Sequence, residues 1–243
     1  MKLAADMHTH TVASTHAYST ITENCRAAAE LGLRALAITD HYLAMPDSPH
    51  EWHFKNLRAL PRSIMGVDVI RGAEVNIIDY EGRIDAPESI LRELEWVVAS
   101  YHRYMFPDFK PADPETVTKG YIKLCRNPYV DVIGHPTTDL FPIDYEEAVK
   151  AFKEYDKLVE VNESSILNKK GSSKNIVPLL LACKKYGVRV VVDSDAHFWS
   201  AVGNTPTSLR ILSELDFPEK LVVNACWESL RERILAKHPN ISL

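Results

Sequence analysis

Cysteine clusters, flexible linkers and long apolar runs are all missing from this sequence. The four cysteines, Cys25, Cys125, Cys183 and Cys226, are widely separated and form no Cys-x-x-Cys pair. Their spacing excludes a zinc site built on cysteine and gives no disulfide framework, so we expect buried free thiols. Glycine is scarce, with nine residues in 243, and no Gly/Ser-rich or Pro-rich stretch divides the chain. We therefore expect a single domain over residues 1–243.

The chain also lacks a membrane segment and an excess of basic residues. No apolar run approaches the roughly 20 residues that cross a bilayer. The first residues, MKLAADMHTH, lack the apolar stretch of a secretory signal. We expect a cytoplasmic protein that does not contact membranes. The net charge of −5 disfavours a surface that holds nucleic acid by its phosphates, so nucleic acid is the less favoured partner.

Short β-branched segments alternate along the chain with longer amphipathic ones. Helix starts are marked by the Thr20 to Glu23 capping-box spacing and by Asp113 directly before Pro114. Fully apolar strands that alternate with helices are typical of a parallel sheet covered by helices. Seven such units fit either a closed barrel or a doubly wound sheet. The predicted strands are KLAAD, ALAIT, VDVIRG, EWVVAS, VDVIGH, KLVEVN and VRVVVDSD.

Residues able to bind metal follow almost every predicted strand. In a parallel barrel the carboxyl ends of all strands meet on one face, including those of the first and last strands, which an open sheet would keep apart. This convergence makes the barrel the preferred fold. Imidazole and carboxylate groups together are the ligands of zinc, manganese or iron rather than calcium or magnesium. The residues in question are His8, His10, His41, Glu74, His102, His135, Asp195 and His197, with His16 in the loop after the first strand.

A structural explanation competes with metal binding at each position. A lone histidine at a strand end is usually a hydrogen-bonded structural residue, and the two carboxylates could form ordinary salt bridges. However, seven of the ten histidines lie at or just after predicted strand ends, which favours a shared metal site. For His50, His53 and His238, which lie elsewhere, we expect structural or solvated roles.

Six motifs resemble those of one known family. MHTHTVASTHAYST, AITDHY, RGAEVN, SYHR, IGHP and DSDAH occur in this order and resemble the PHP (polymerase and histidinol phosphatase) family, particularly its small YcdX-like phosphatases. The resemblance implies a distorted seven-stranded (β/α)7 barrel that holds three divalent metal ions, usually zinc, with manganese or iron in relatives. It implies one ion on His8, His10, Glu74 and Asp195, a second on Glu74, His102 and His135, and a third on His16, His41 and His197.

The same resemblance implies hydrolysis of a small phosphate monoester. A metal-bridging hydroxide would attack, so no side-chain nucleophile is needed. Asp40 is expected either to orient a ligand imidazole or to cap a turn. Substrate contacts are predicted at Arg103, Asn162, Lys169 and Ser172. For Lys169 the alternative is an ordinary solvated loop, and for Ser172 it is an ordinary helix cap.

Three other functions compete with this prediction. An exonuclease or phosphodiesterase would use the same metals but is disfavoured by the acidic balance of the chain. An amidohydrolase-type barrel also begins with His-x-His, but it explains His16 and the Thr39-Asp40-His41 triplet less well. A regulatory metal-binding domain without turnover would be expected to have lost some ligands. The sequence leaves open whether the protein forms a homo-oligomer.

Overall fold

The computed structural model describes residues 1–243 and contains one sheet of eight strands. Seven strands pair in parallel in the order β1-β2-β4-β5-β6-β7-β8, which confirms the predicted seven-stranded parallel arrangement. The strands are Ala5–Asp6 (β1), Ala35–Ile38 (β2), Ser63–Ile64 (β3), Val67–Ile77 (β4), Trp96–Tyr101 (β5), Val132–Ile133 (β6), Leu158–Asn162 (β7) and Val190–Asp193 (β8).

The strand β3 was not predicted. It pairs antiparallel with the start of β4 through a turn at Met65 and Gly66, whose φ angles are 54° and 80°. Two positive φ angles in a two-residue turn produce the twist that a tight hairpin needs. The hairpin extends the sheet outside the parallel path and leaves the order of the seven parallel strands unchanged.

The sheet closes almost completely between β1 and β8. At the carboxyl ends the backbones meet directly, with His8 O accepting from Asp195 N at 3.0 Å and Ala196 O accepting from His10 N at 2.8 Å. At the other end the Asn224 side chain fills the gap, because its amide donates to the carbonyls of both Ala5 and Val192. The molecule is therefore a nearly closed barrel, and the doubly wound alternative is wrong.

Nine α-helices surround the barrel or extend its loops. Thr20 and Glu23 form the predicted capping box of the first helix, and Asp113 caps the fourth. None of the helices is long and apolar enough to cross a membrane. The helices are Ile21–Glu30 (α1), Trp52–Asn56 (α2), Glu88–Leu91 (α3), Pro114–Leu124 (α4), Tyr145–Glu154 (α5), Glu163–Asn168 (α6), Ser172–Tyr186 (α7), Pro206–Glu214 (α8) and Trp227–Lys237 (α9).

The apolar core has two layers. A small cluster that includes Ile70, Trp96 and Leu158 fills the inside of the barrel, while a larger one packs between the sheet and the helices. Alternation along β7 places Val159 in the outer layer and Leu158 in the inner one, so that Glu160 points inward. The inside of the barrel thus changes from apolar to polar towards the carboxyl ends of the strands.

The thiols follow the prediction in three of four cases. Cys25, Cys125 and Cys183 are buried and free, whereas Cys226 is exposed. Cys226 lies directly before α9, and its side chain is outside the core. The prediction of a buried thiol was wrong at that position.

Candidate metal centre

The predicted ligand residues come together on the carboxyl-end face of the barrel. The strand ends bring them there because all seven parallel strands terminate on that side. Glu74 lies within β4, whose last residues continue past the end of β2, and it pairs with His41 in an isolated parallel bridge. Its side chain is 1% exposed, so the carboxylate occupies the middle of the face.

Four potential ligand atoms, one of them an oxygen of Glu74, form a compact group. His8 Nε2 lies 3.1 Å from His10 Nε2 and 3.4 Å from Glu74 Oε2. His10 Nε2 is 3.6 Å from Glu74 Oε2, and Asp195 Oδ1 is 3.1 Å from His10 Nε2 and 3.7 Å from His8 Nε2. A tetrahedral zinc site with bonds of about 2.0–2.1 Å has ligand atoms about 3.3–3.4 Å apart. The donor set and its spacing therefore fit a divalent ion of this size.

The other oxygen of Glu74 faces a second pair of imidazoles. Glu74 Oε1 lies 3.0 Å from His135 Nε2 and 3.4 Å from His102 Nε2. The two rings are 5.3 Å apart. Glu74 can thus face two ions, one through each oxygen.

A third group consists of imidazoles closer to solvent. The ring of His197 lies 4.4 Å from those of both His10 and His16, and the rings of His16 and His41 are 5.3 Å apart. His41 Nδ1 also approaches Glu74 Oε2 to 2.8 Å, yet this nitrogen has no hydrogen bond of acceptable geometry. His41 therefore adjoins both the Glu74 group and the outer group.

Two of these residues have unusual backbone conformations. His135 has a φ of 28° and Asp195 a φ of 55°, in the left-handed region that side chains other than glycine seldom adopt. Such conformations cost about 1–3 kcal/mol and persist only where neighbouring contacts hold them. Here the amide of His135 donates to Glu160 Oε2 at 2.6 Å and that of Asp195 donates to His8 O at 3.0 Å.

Three polar residues that the sequence analysis did not single out hold the imidazoles in place. His8 Nδ1 contacts Glu160 Oε1 at 2.5 Å, and His102 Nδ1 contacts Asn76 Oδ1 at 2.8 Å. His16 Nδ1 contacts Asp47 Oδ2 at 2.6 Å. Because Nδ1–H donates to each oxygen, the Nε2 lone pair is left for a metal. The one available signal for Glu160 was a carboxylate in the middle of an otherwise apolar strand.

Asp40 does not hydrogen-bond to any of the predicted ligand imidazoles. Its oxygens accept from the amide and hydroxyl of Thr11, from Ser14 Oγ and from His53 Nε2. Ser14 Oγ in turn accepts from the backbone of His41. The contacts of Asp40 thus fix the loop after β1, and Ser14 links that loop to the backbone of His41. His53, expected to be solvated, donates to this buried carboxylate.

The predicted substrate contacts divide into accessible and inaccessible residues. Asn162 is buried, and its side chain caps α6 and donates to Asp195 Oδ2 at 3.1 Å, so it orients a predicted ligand. Ser172 is 0% exposed and lies inside the first turn of α7. Arg103 is exposed beside Tyr104, and Lys169 is partly buried. Of the four, only Arg103 and Lys169 have side chains accessible to solvent.

The electrostatics of the centre favour ligand forms of several residues. Burial raises the pKa of Glu74 and Asp195, but the histidines around them, His8 foremost, outweigh burial and hold both pKa values well below the usual range. Burial lowers the pKa of His10 to about 3 and that of His102 to about 4. Ionised carboxylates and neutral imidazoles are the forms that bind metal.

His8 and His41 have the opposite electrostatics. Burial alone lowers their pKa, but carboxylates outweigh burial, mainly Glu160 and Glu74 at His8 and Glu74 at His41. The pKa of His41 is raised and that of His8 is raised well above its usual value. A bound cation would therefore displace a proton from each ring.

Fold and centre together define a class of protein: a nearly closed parallel barrel that gathers imidazoles and carboxylates at its strand ends. The family model described as "PHP domain" matches residues 6–166. This chain belongs to the PHP family.

Curated relatives match almost the whole chain. A protein of Caldanaerobacter subterraneus named probable phosphatase is 43% identical over 242 residues, covering 99% of this chain and 94% of the relative. A probable phosphatase of Clostridium novyi is 43% identical over 238 residues, covering 98% and 96%. These relatives are similar along their full length, so the likeness is not confined to a shared module.

A solved structure shows the same fold. Histidinol phosphate phosphatase of Lactococcus lactis, complexed with zinc, L-histidinol and phosphate, aligns with a TM-score of 0.58 and 14% identity. The alignment covers 90% of this chain and 95% of the other. At this identity the likeness supports the barrel fold alone.

Proposed function

We propose that this protein is a metal-dependent phosphatase that hydrolyses the phosphate monoester of a small molecule. The observation that carries the proposal is the group formed by His8, His10, Glu74 and Asp195, whose ligand atoms are 3.1–3.7 Å apart in five pairs, close to the spacing of ligands around zinc. Support comes from curated relatives named probable phosphatase. The Lactococcus structure, which holds zinc and phosphate on the same fold, is consistent with it.

We further propose three divalent ions, zinc before manganese or iron. His8, His10, Glu74 and Asp195 would hold the first; Glu74, His102 and His135 the second; and His16, His41 and His197 the third. The third set is the most exposed, since the His16 side chain is 50% accessible, so that ion would exchange most readily. When bound, the ions would supply an activated water and neutralise charge on the phosphate oxygens.

The chain's own residues would orient and enclose the reacting groups. Glu160, Asn76 and Asp47 keep ligand nitrogens pointed at the centre, and Asn162 does the same for Asp195. Burial raises the pKa of Asp195, whereas His8, then His10 and then Lys169 lower it, so Lys169 lies close to this carboxylate. We propose that Lys169 and Arg103 contact the anionic substrate.

We also propose that residues 1–243 act as one unit. The match to the family model ends at residue 166, but the barrel needs β8, and Asp195 and His197 follow that strand. A fragment that ended near residue 166 would lack two of the nine proposed ligands. A small phosphorylated molecule is the proposed partner.

The proposal is tested by assaying the purified protein on an aryl phosphate and on single-stranded DNA, with zinc, manganese or iron supplied. We expect turnover of the aryl phosphate and its loss in His135→Ala, which removes one ligand of the second ion. Absence of turnover on both substrates would refute the hydrolase proposal, and cleavage of DNA alone would establish the exonuclease alternative.

A further inference from the structure

Glu160 is a fully buried carboxylate that contacts two predicted ligands on different strands. It lies in the middle of β7, is 0% exposed and points into the barrel beneath the metal centre. Glu160 Oε1 accepts from His8 Nδ1 at 2.5 Å, and Oε2 accepts from the backbone amide of His135 at 2.6 Å. A carboxylate removed from water persists only with such partners, because its burial without them is costly.

The contact with His8 fixes which nitrogen faces the centre. Since Nδ1–H donates to Glu160, Nε2 is directed at Glu74, 3.4 Å away, and at His10, 3.1 Å away. A ring without this partner could rotate or take the other tautomer, and either change would remove a donor from the first group.

The contact with His135 acts through the backbone. The residue has a φ of 28°, and its amide hydrogen bond to Glu160 helps to hold that conformation. This conformation aims the ring at Glu74, with His135 Nε2 3.0 Å from Glu74 Oε1. The same carboxylate thereby fixes one donor of the first proposed group and one donor of the second.

We infer that Glu160 is a positioning residue that couples the first and second metal sites by holding His8 and His135 in their binding geometry. The inference rests on the proposed metal-dependent function. It makes a selective prediction, because Glu160 touches no residue of the third set, His16, His41 and His197. Loss of Glu160 should weaken two sites and spare one, a pattern that a general loss of stability would not produce.

The informative substitution is Glu160→Gln. Glutamine has nearly the same shape but only one acceptor oxygen, so it can serve His8 or His135 but not both. At the other partner, the glutamine N–H would face another N–H. Removing such a partner from a metal-binding histidine typically weakens metal affinity 10–100-fold, and we expect this loss at two of the three sites.

Glu163→Gln is the matched control. Glu163 is also a buried carboxylate, 4% exposed, three residues away along the chain. It accepts from the amides of Thr207 and Ser208 at the start of α8 and contacts none of the proposed ligands. We expect a lower melting temperature for this variant and unchanged zinc affinity at all three sites.

The measurement is a zinc titration of the metal-free full-length protein in competition with a chromophoric chelator, with folding checked by circular dichroism. Histidine-labelled, zinc-loaded protein then reports by 1H–15N NMR whether His8 carries its proton on Nδ1. If wild type binds zinc and Glu160→Gln matches it at every site, the positioning role is refuted while the proposed function stands. If wild type binds no zinc, the proposed function itself fails, and the positioning role with it.

Should Glu160→Gln fail to fold, Glu160→Asp decides the matter. Aspartate keeps the charge but is one methylene shorter, so it cannot reach both partners without a shift. We expect weaker binding at the same two sites and an unchanged third site. Wild-type affinity at all three sites in this variant would overturn the inference.

Discussion

Replacing Glu74 by glutamine should disable two metal sites with one change of atom. The Glu74 carboxylate lies within 3.6 Å of five imidazoles: Oε2 faces His8, His10 and His41, and Oε1 faces His102 and His135. The variant keeps the volume of the side chain but removes its charge and one acceptor.

The magnitude follows from the position of that charge between two proposed ions. Removing one preorganised electrostatic group from a buried catalytic centre costs about 3–4 kcal/mol, or a factor of 10²–10³ in rate. We therefore expect kcat/KM on an aryl phosphate to fall by about 10³, since both the first and the second ion lose a charged ligand. Zinc content should fall towards one ion per chain, held by His16, His41 and His197.

The metal-free protein offers a separate check. The surrounding histidines hold the pKa of Glu74 well below its usual value of 4.5, against the effect of burial. A carboxyl with a depressed folded pKa stabilises the fold above its unfolded pKa, and the contribution is lost as pH falls through the folded value. Metal-free Glu74→Gln should therefore be less stable than wild type at pH 7, and the difference should shrink in acid.

The control for this experiment is Glu95→Gln. Glu95 is 3% exposed and contacts Arg62 and the backbone of Arg71, away from the metal centre. We expect it to lower stability and leave zinc content unchanged. A Glu74→Gln protein that is folded, binds as much zinc as wild type and retains activity within about threefold would refute the bridging role, because the account assigns that carboxylate to both ions.

Three further predictions concern other parts of the molecule. Asp47→Asn should weaken zinc about 10–100-fold at the His16 site only, as measured by competitive titration; equal weakening at all sites would contradict this. Burial lowers the pKa of Lys157 to about 8 in the folded protein. Between pH 8 and 10.5 this lysine therefore stays protonated in the unfolded chain while it loses its proton in the folded protein. The free energy of unfolding of the wild type should thus rise by about 2 kcal/mol over this range relative to that of Lys157→Met. A pH-independent difference in urea denaturation would refute that assignment. Gly82→Ala would place a Cβ 2.4 Å from a backbone nitrogen, whereas Gly66→Ala, also at positive φ, meets nothing within 4 Å. Gly82→Ala should lower the free energy of unfolding by more than about 2 kcal/mol and Gly66→Ala by about 1 kcal/mol. Equal losses would show that the positive φ alone, and not the steric contact, determines the destabilisation.

The barrel was predictable because its strands are apolar on both faces and alternate with capped helices. Thr20 with Glu23 and Asp113 with Pro114 mark helix starts in the structure as they do in the sequence. The strand β3 escaped prediction because its two residues, Ser63 and Ile64, carry no periodic pattern. Its pairing depends on the turn at Met65 and Gly66.

The candidate ligands could be found because parallel strand ends must converge, a rule that needs no side-chain geometry. The residues that orient them depend on which way a side chain points. Glu160 points from β7 into the barrel, where it contacts His8. Asp47 lies in a loop that folds back over the centre, where it contacts His16. The predicted substrate contact at Ser172 depended on the same unknown. The spacing of residues at a helix start does not reveal that packing buries this side chain.

The most direct test of the account is a crystal structure of the zinc-loaded protein with anomalous diffraction measured at the zinc edge. We predict an anomalous peak about 2.0–2.2 Å from His8 Nε2, His10 Nε2, Glu74 and Asp195. We also predict a second peak on the other side of Glu74 and a third among the outer histidines. A zinc-saturated crystal with no peak between His8, His10 and Asp195 would contradict the central claim.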